Sequence, residues 1–126
     1  MGDRAVIGFK ADTEAIPVFL YSHWGGSDRY LDAQRAIEAA RPRWHSLTDP
    51  AYATRIGISH IVENYWHEET GFGISAGHNS FSTPDYGDVI IITWREKTVE
   101  IVSAVDSTQV ESTMTFDAFL ALESVR

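Results

Sequence analysis

The alternation of apolar and polar positions divides the chain into short strands and two longer amphipathic segments. Arg4 to Lys10 (RAVIGFK) predicts a first strand. Ala11 to Ala15 is a polar turn. Ile16 to His23 predicts a second strand, with Pro17 near its start, where a missing backbone donor is tolerated. The short spacing implies an antiparallel hairpin. The apolar repeat then changes to that of a helix. Ser27 or Asp28 is placed to cap a helix running to about Arg41, where Pro42 stops it. Tyr30, Ala33, Ile37 and Ala40 form its apolar stripe, widened by Leu31. Arg43 to Leu47 is a linker too apolar to lie fully exposed. Asp49-Pro50, an acidic cap followed by proline at the first helical position, predicts a second helix. That helix runs to about Trp66, with Ile58, Ile61, Val62 and Tyr65 facing inward.

Beyond it, Thr70 to Ser75 reads as a glycine-flanked strand and Ala76 to Gly87 as a loop. Asp88 to Trp94 is a strand covered on both faces, Arg95 to Thr98 a turn, and Val99 to Val105 a returning strand. Ser107 to Ser112 is a polar connection. Thr115 caps a last short helix, whose Phe116, Phe119, Leu120 and Leu122 pack inward. The order ββ-αα-βββ-α predicts the α+β class: a two-layer sandwich with a mainly antiparallel sheet and helices on one face. No break in pattern divides residues 1–126 into more than one domain.

Composition adds limits. With 126 residues, 44% of them hydrophobic, the chain is long and apolar enough to bury a core. It has no cysteine, which excludes disulfides and thiolate metal sites and points to a reducing compartment. No apolar signal segment follows Met1, and no run approaches the ~20 residues of a spanning helix. A cytoplasmic protein without a membrane partner is expected. The net charge is −8, yet residues 29–55 hold five arginines against Asp32, Glu38 and Asp49. Such a balance disfavours duplex nucleic acid, which needs a broad basic face. It leaves room for an arginine-lined pocket for one anion, or for arginines in local surface ion pairs.

Candidate chemistry gathers at the strand-to-helix turn Tyr21-Ser22-His23-Trp24-Gly25-Gly26-Ser27-Asp28-Arg29. Backbone N–H groups of Gly25, Gly26 and Ser27 at a helix start suit a phosphate or carboxylate. Tyr21, His23 and Trp24 would touch the ligand, Trp24 or Trp44 would stack on it, and Arg43 or Arg55 would add charge. Glu69 and Thr70, before the Gly-Phe-Gly run, complete this ligand-binding set. The competing reading is a tight turn in which a glycine supplies positive φ and Trp24 simply packs. Glu68 to Gly73 marks either close approach of a ligand or backbone, or a bulge or an edge strand. Trp24, Trp44, Trp66 and Trp94 flank element ends, positions that suit partly buried anchors or interfaces.

Enzymatic signatures are weak. His60, Glu63 and His67 share a helical face at i, i+3 and i+7, but there is no HExxH and no fourth ligand, so neither metal nor cofactor is expected. Ser22 and His23 are adjacent in a strand and point to opposite faces. Ser75, His78 and Ser80 lie outside any GxSxG elbow. No residue is assigned a catalytic role.

Three blocks, Tyr21-Ser22-His23-Trp24-Gly25-Gly26, Asp49-Pro50-Ala51-Tyr52-Ala53-Thr54-Arg55-Ile56 and Glu69-Thr70-Gly71-Phe72-Gly73-Ile74-Ser75, together resemble a family of small hypothetical proteins of bacteriophages, notably phages of actinobacteria. The resemblance spans about residues 16–125, although Gly77 to Tyr86 is longer and richer in serine than in those relatives. It implies a phage accessory protein acting in the host cytoplasm. Three functions follow as expectations: binding of a small anionic ligand, such as a nucleotide signal, at residues 21–29; a non-enzymatic interaction module or homo-oligomer acting on a host factor; or a small hydrolase.

Overall fold

The computed structural model describes residues 4–23, 28–77, 88–102 and 110–122. The chain is α+β. Its strands are β1 (Ala5–Lys10), β2 (Val18–Ser22), β3 (Phe72–Ala76), β4 (Val89–Thr93), β5 (Thr98–Val102) and β6 (Val110–Thr115). Its α-helices are α1 (Arg29–Ala39), α2 (Pro50–Val62) and α3 (Phe116–Leu120). The sheet order is β3-β2-β1-β4-β5-β6. Every neighbouring pair is antiparallel except β1 with β4, which run parallel with Ile7 opposite Ile90. The predicted hairpin of the first two strands forms, with Ile7 opposite Leu20.

Strand alternation sorts the side chains onto two faces. Ile7, Phe9, Leu20, Ile90, Ile92, Val99 and Ile101 face the helices and join Ala33, Ala36, Ile37, Ile58, Val62 and Phe119 in the main core. Trp94, Trp44, Phe9 and Phe116 form an aromatic group at its centre: Trp94 stacks on Phe9 with centroids 6.2 Å apart, and Phe116 meets Trp44 edge-on at 4.8 Å. The opposite face carries a smaller cluster of Val6, Phe19, Val89 and Val102. There the Phe19 ring lies across Gly8, where an added Cβ would come within 2.9 Å of it.

The helices meet the sequence expectations with three differences. The first helix ends at Ala39, and Arg41–Arg43 form a 3-10 turn around Pro42. The second starts at Pro50 as expected, but the Asp49 side chain makes no cap bond; it accepts a hydrogen bond from Arg43 at 3.4 Å instead. Its end is earlier than the periodicity implies. At Glu63 the backbone takes φ 56°, a left-handed value uncommon outside glycine, and Glu63–His67 form a 3-10 turn. The break rotates the following side chains away from the core, so Tyr65, expected inside, lies outside.

The fourth strand after the helices, β6, takes in Val110 to Ser112 of the expected polar connection, whose residues 107–109 lie outside the described residues; the order among the described residues is ββ-αα-ββββ-α. As an edge strand β6 needs few apolar residues. Among the described side chains of this strand Met114 packs against the core cluster, and the register shifts at Ile101/Val102. Thr115 caps α3 as expected, its hydroxyl accepting from the Ala118 N–H at 3.1 Å. Of the predicted inward residues, Phe116 and Phe119 are buried, Leu120 is partly so, and Leu122 is exposed.

Candidate functional site

The end of the molecule where β2 leaves the sheet holds the first set of candidate residues. Tyr21 and His23 are two apart in an extended segment and lie on one side. The Tyr21 hydroxyl and His23 Nδ1 are 2.9 Å apart. Ser22 faces the helices and is buried, so the expected separation of Ser22 from His23 holds. The His23 N–H donates to Gly71 O at 2.9 Å, which ties this exit to the residue preceding β3. Glu69 and Thr70 are exposed beside it. Trp24, Gly25, Gly26 and Ser27 lie outside the described residues.

The remaining candidates are elsewhere. Arg43 sits past the far end of α1, a helix of 11 residues and therefore about 16 Å long. Its guanidinium pairs with Asp49 and lies 5.0 Å over the Tyr52 ring. Arg55 is exposed on α2, with Ser59 at 3.5 Å. Trp44 is 3% exposed. Its indole N–H donates to Ile37 O at 2.8 Å, and its ring is enclosed by Phe116 and Arg41. Trp44 is thus a core anchor, as is Trp94.

Electrostatics at the start of α1 run against an anion. Asp28 flanks the helix, and Asp32 follows in its first turn. Burial, then the Asp28 charge, push the Asp32 carboxyl up to about 6, with Glu63 adding and Arg35 and His60 opposing. Arg29, the first residue of α1, donates to Asp88 O and Arg4 O, at 2.7 and 3.2 Å. An unfolded Asp titrates near 3.8, so the folded chain holds this proton more tightly. The resulting stability is full below about pH 4 and is lost as pH rises to about 6. Asp32→Asn is expected to abolish that loss. It should match the parent at pH 4 and exceed it at pH 7.5 by about 1 kcal/mol, a value reduced by solvent screening. Urea denaturation at the two pH values measures this.

The His60, Glu63 and His67 face does not survive the break at Glu63. Among the described residues no group of three or more His, Asp or Glu side chains could hold a metal ion. No described helix is long and apolar enough to cross a membrane. An open groove of about 470 Å³ between α1, α2 and α3 is lined by Arg35, Glu38, His60 and Leu120. It carries mixed charge and no convergent polar set.

The surface beside β3 differs from all of these. Behind the 3-10 turn, Val62, Tyr65, Trp66, Phe72 and Ile74 line a cleft of about 170 Å³, with Glu68 at its rim. Tyr65, Trp66 and Ile74 are 58%, 52% and 55% exposed. The Tyr65 ring leans on Phe72 with centroids 6.3 Å apart. Gly71 (φ 103°) and Gly77 (φ 128°) bound the strand in conformations that glycine adopts freely. Of the stretch Glu68 to Gly73, Phe72 and Gly73 begin the edge strand β3, and Glu68 to Gly71 precede it. Sequence periodicity placed Tyr65 in the core and missed this cleft. One signal was available: adjacent Tyr65 and Trp66 cannot both face inward on one helix.

Compared with protein-family models, curated proteins and solved structures, the chain matches none of them.

Proposed function

We propose that this chain is a protein–protein interaction module whose binding surface is the aromatic cleft beside β3. The observation that carries the reading is the contiguous exposure of Tyr65, Trp66 and Ile74 around an apolar cleft at a sheet edge. Apolar patches of this kind, rimmed by polar groups, mark interaction sites. Aromatic side chains supply most of the energy in such contacts. With the resemblance to small phage proteins, the partner is a host factor.

Anion binding at residues 21–29 draws less support. Arg43 is engaged with Asp49 past the far end of α1, Arg55 is exposed on α2, and two aspartates, Asp28 and Asp32, lie at the start of α1. The test of the interaction reading is photo-crosslinking in the source cell. A photoreactive residue at position 65 is expected to give a discrete adduct with one protein, and Ile74→Ser to abolish that adduct. Diffuse labelling indifferent to Ile74→Ser would count against the reading.

A further inference from the structure

We infer that β3 takes up an extended segment of a basic partner protein as a seventh strand of the sheet. This deepens the interaction reading and rests on it. The register of β3 on β2 defines the available backbone. His23 donates to Gly71 O and Gly77 donates to Pro17 O, so the odd-numbered residues of β3 bond to β2. The N–H and C=O groups of Phe72, Ile74 and Ala76 consequently point away from the sheet, and no described residue pairs with them. An arriving strand would find alternating donors and acceptors there, and its inward side chains would enter the cleft of Tyr65, Trp66 and Ile74. Strand addition to an edge works this way: the main chain gives affinity and pockets give specificity.

Edges that must stay unpaired are usually guarded by charge, proline or a bulge. β3 (FGISA) has none of these within it. The outer edge strand on the other side, β6, carries a register shift. Charge then selects the occupant. No Lys or Arg lies between Lys10 and Arg29, or between Arg55 and Arg95. Within those stretches Glu68 lines the cleft, and the exposed Glu63 and Glu69 are chain neighbours of its lining residues Val62 and Glu68. A segment carrying Lys or Arg between apolar residues complements this edge. A second copy would bring the same acidic groups and another net charge of −8.

The experiment uses the full chain and blocked hexapeptides of alternating lysine and leucine. A glutamate-for-lysine version and a version N-methylated at the leucines serve as comparisons. The basic peptide is expected to bind and to shift the amide signals of Phe72 and Ile74 and the Trp66 indole signal. The glutamate version should bind at least about tenfold more weakly. N-methylation, which removes strand hydrogen bonds, should abolish binding. Ile74→Pro removes an outward-pointing N–H together with the Ile74 side chain and leaves the β2–β3 ladder bonds in place, so N-methylation of the peptide is the arm that isolates backbone pairing. Ile74→Pro should abolish peptide binding while circular dichroism stays that of the parent. Trp66→Ala, which touches no backbone, should weaken binding on its own.

Absence of binding by the basic peptide would overturn the inference. So would equal binding of both charge types, or binding that survives both Ile74→Pro and N-methylation. In those cases the position-65 adduct still decides the broader reading: if it persists, the patch binds a partner without strand addition; if it is absent, both fall. A dimer in sedimentation that Ile74→Pro dissociates would also overturn the inference, by making a second copy the occupant.

Discussion

Replacing Trp94 by alanine is expected to destabilise the fold by about 3–5 kcal/mol, the largest effect of any single truncation considered. Trp94 is fully buried. Its N–H continues the parallel β1–β4 pairing by donating to Lys10 O at 3.0 Å. Its ring stacks on Phe9 and meets Phe116 edge-on at 5.7 Å, which couples β1, β4 and α3. Its indole N–H donates to the Thr54 hydroxyl at 2.9 Å and so holds α2 to the sheet. Alanine would leave a large cavity bordered by aromatic rings that cannot collapse together. Trp94→Phe keeps most of the ring packing and loses the hydrogen bond, and should cost about 1–2 kcal/mol. Thermal and urea denaturation of the two variants separate these contributions. A loss below about 1 kcal/mol in Trp94→Ala would contradict the packing described.

Gly57→Leu is expected to cost about 1–3 kcal/mol by overpacking the contact between α1 and α2. A Cβ at Gly57 would lie 3.2 Å from the Ala36 Cβ and 3.3 Å from the Phe9 ring. The facing positions Ala33, Ala36 and Ala40 are all small and fully buried. The two helices thus approach closely because neither carries bulk there. Leucine would push α1 off the sheet or leave its own side chain strained. Gly57→Ala sets the scale. Its gain in helix propensity, about 1 kcal/mol, opposes the tight contact, so a small net change is expected. A leucine variant as stable as the alanine variant would show that the helices do not meet at this point.

Both contacts depend on elements that the sequence pattern reveals. The run of isoleucines in β4, the Asp49-Pro50 start of α2 and the Ala-rich stripe of α1 are strong local signals, and tertiary packing agrees with each. The pattern fails where packing follows no local rule. β6 is polar because an edge strand has one neighbour and needs few apolar residues, so its composition resembles that of a loop. Periodicity extends α2 past Glu63 because Tyr65 fits the inward stripe. The left-handed turn at Glu63 leaves no mark in a glutamate. The candidate site was legible only as fragments. The block Glu69 to Ser75 is marked by its glycines as an edge or a close approach. Its union with Tyr65 and Trp66 depends on that unforeseen turn. Arg43, Arg55 and Trp44 are of types suited to an anion pocket, but Trp44 is buried in the core, Arg43 pairs with Asp49 past the end of α1, and Arg55 lies exposed on α2.

The central claim is that the chain binds its partner through the β3 side. It is tested most directly by a photo-crosslinking scan of exposed positions at both ends of the molecule. Tyr65, Trp66 and Ile74 represent the aromatic cleft. Leu47 and Tyr52, also large and exposed, represent the opposite end of α2. The account predicts one common adduct from positions 65, 66 and 74 and none from 47 and 52. An adduct confined to positions 47 and 52, or the same adduct from every position, would contradict it.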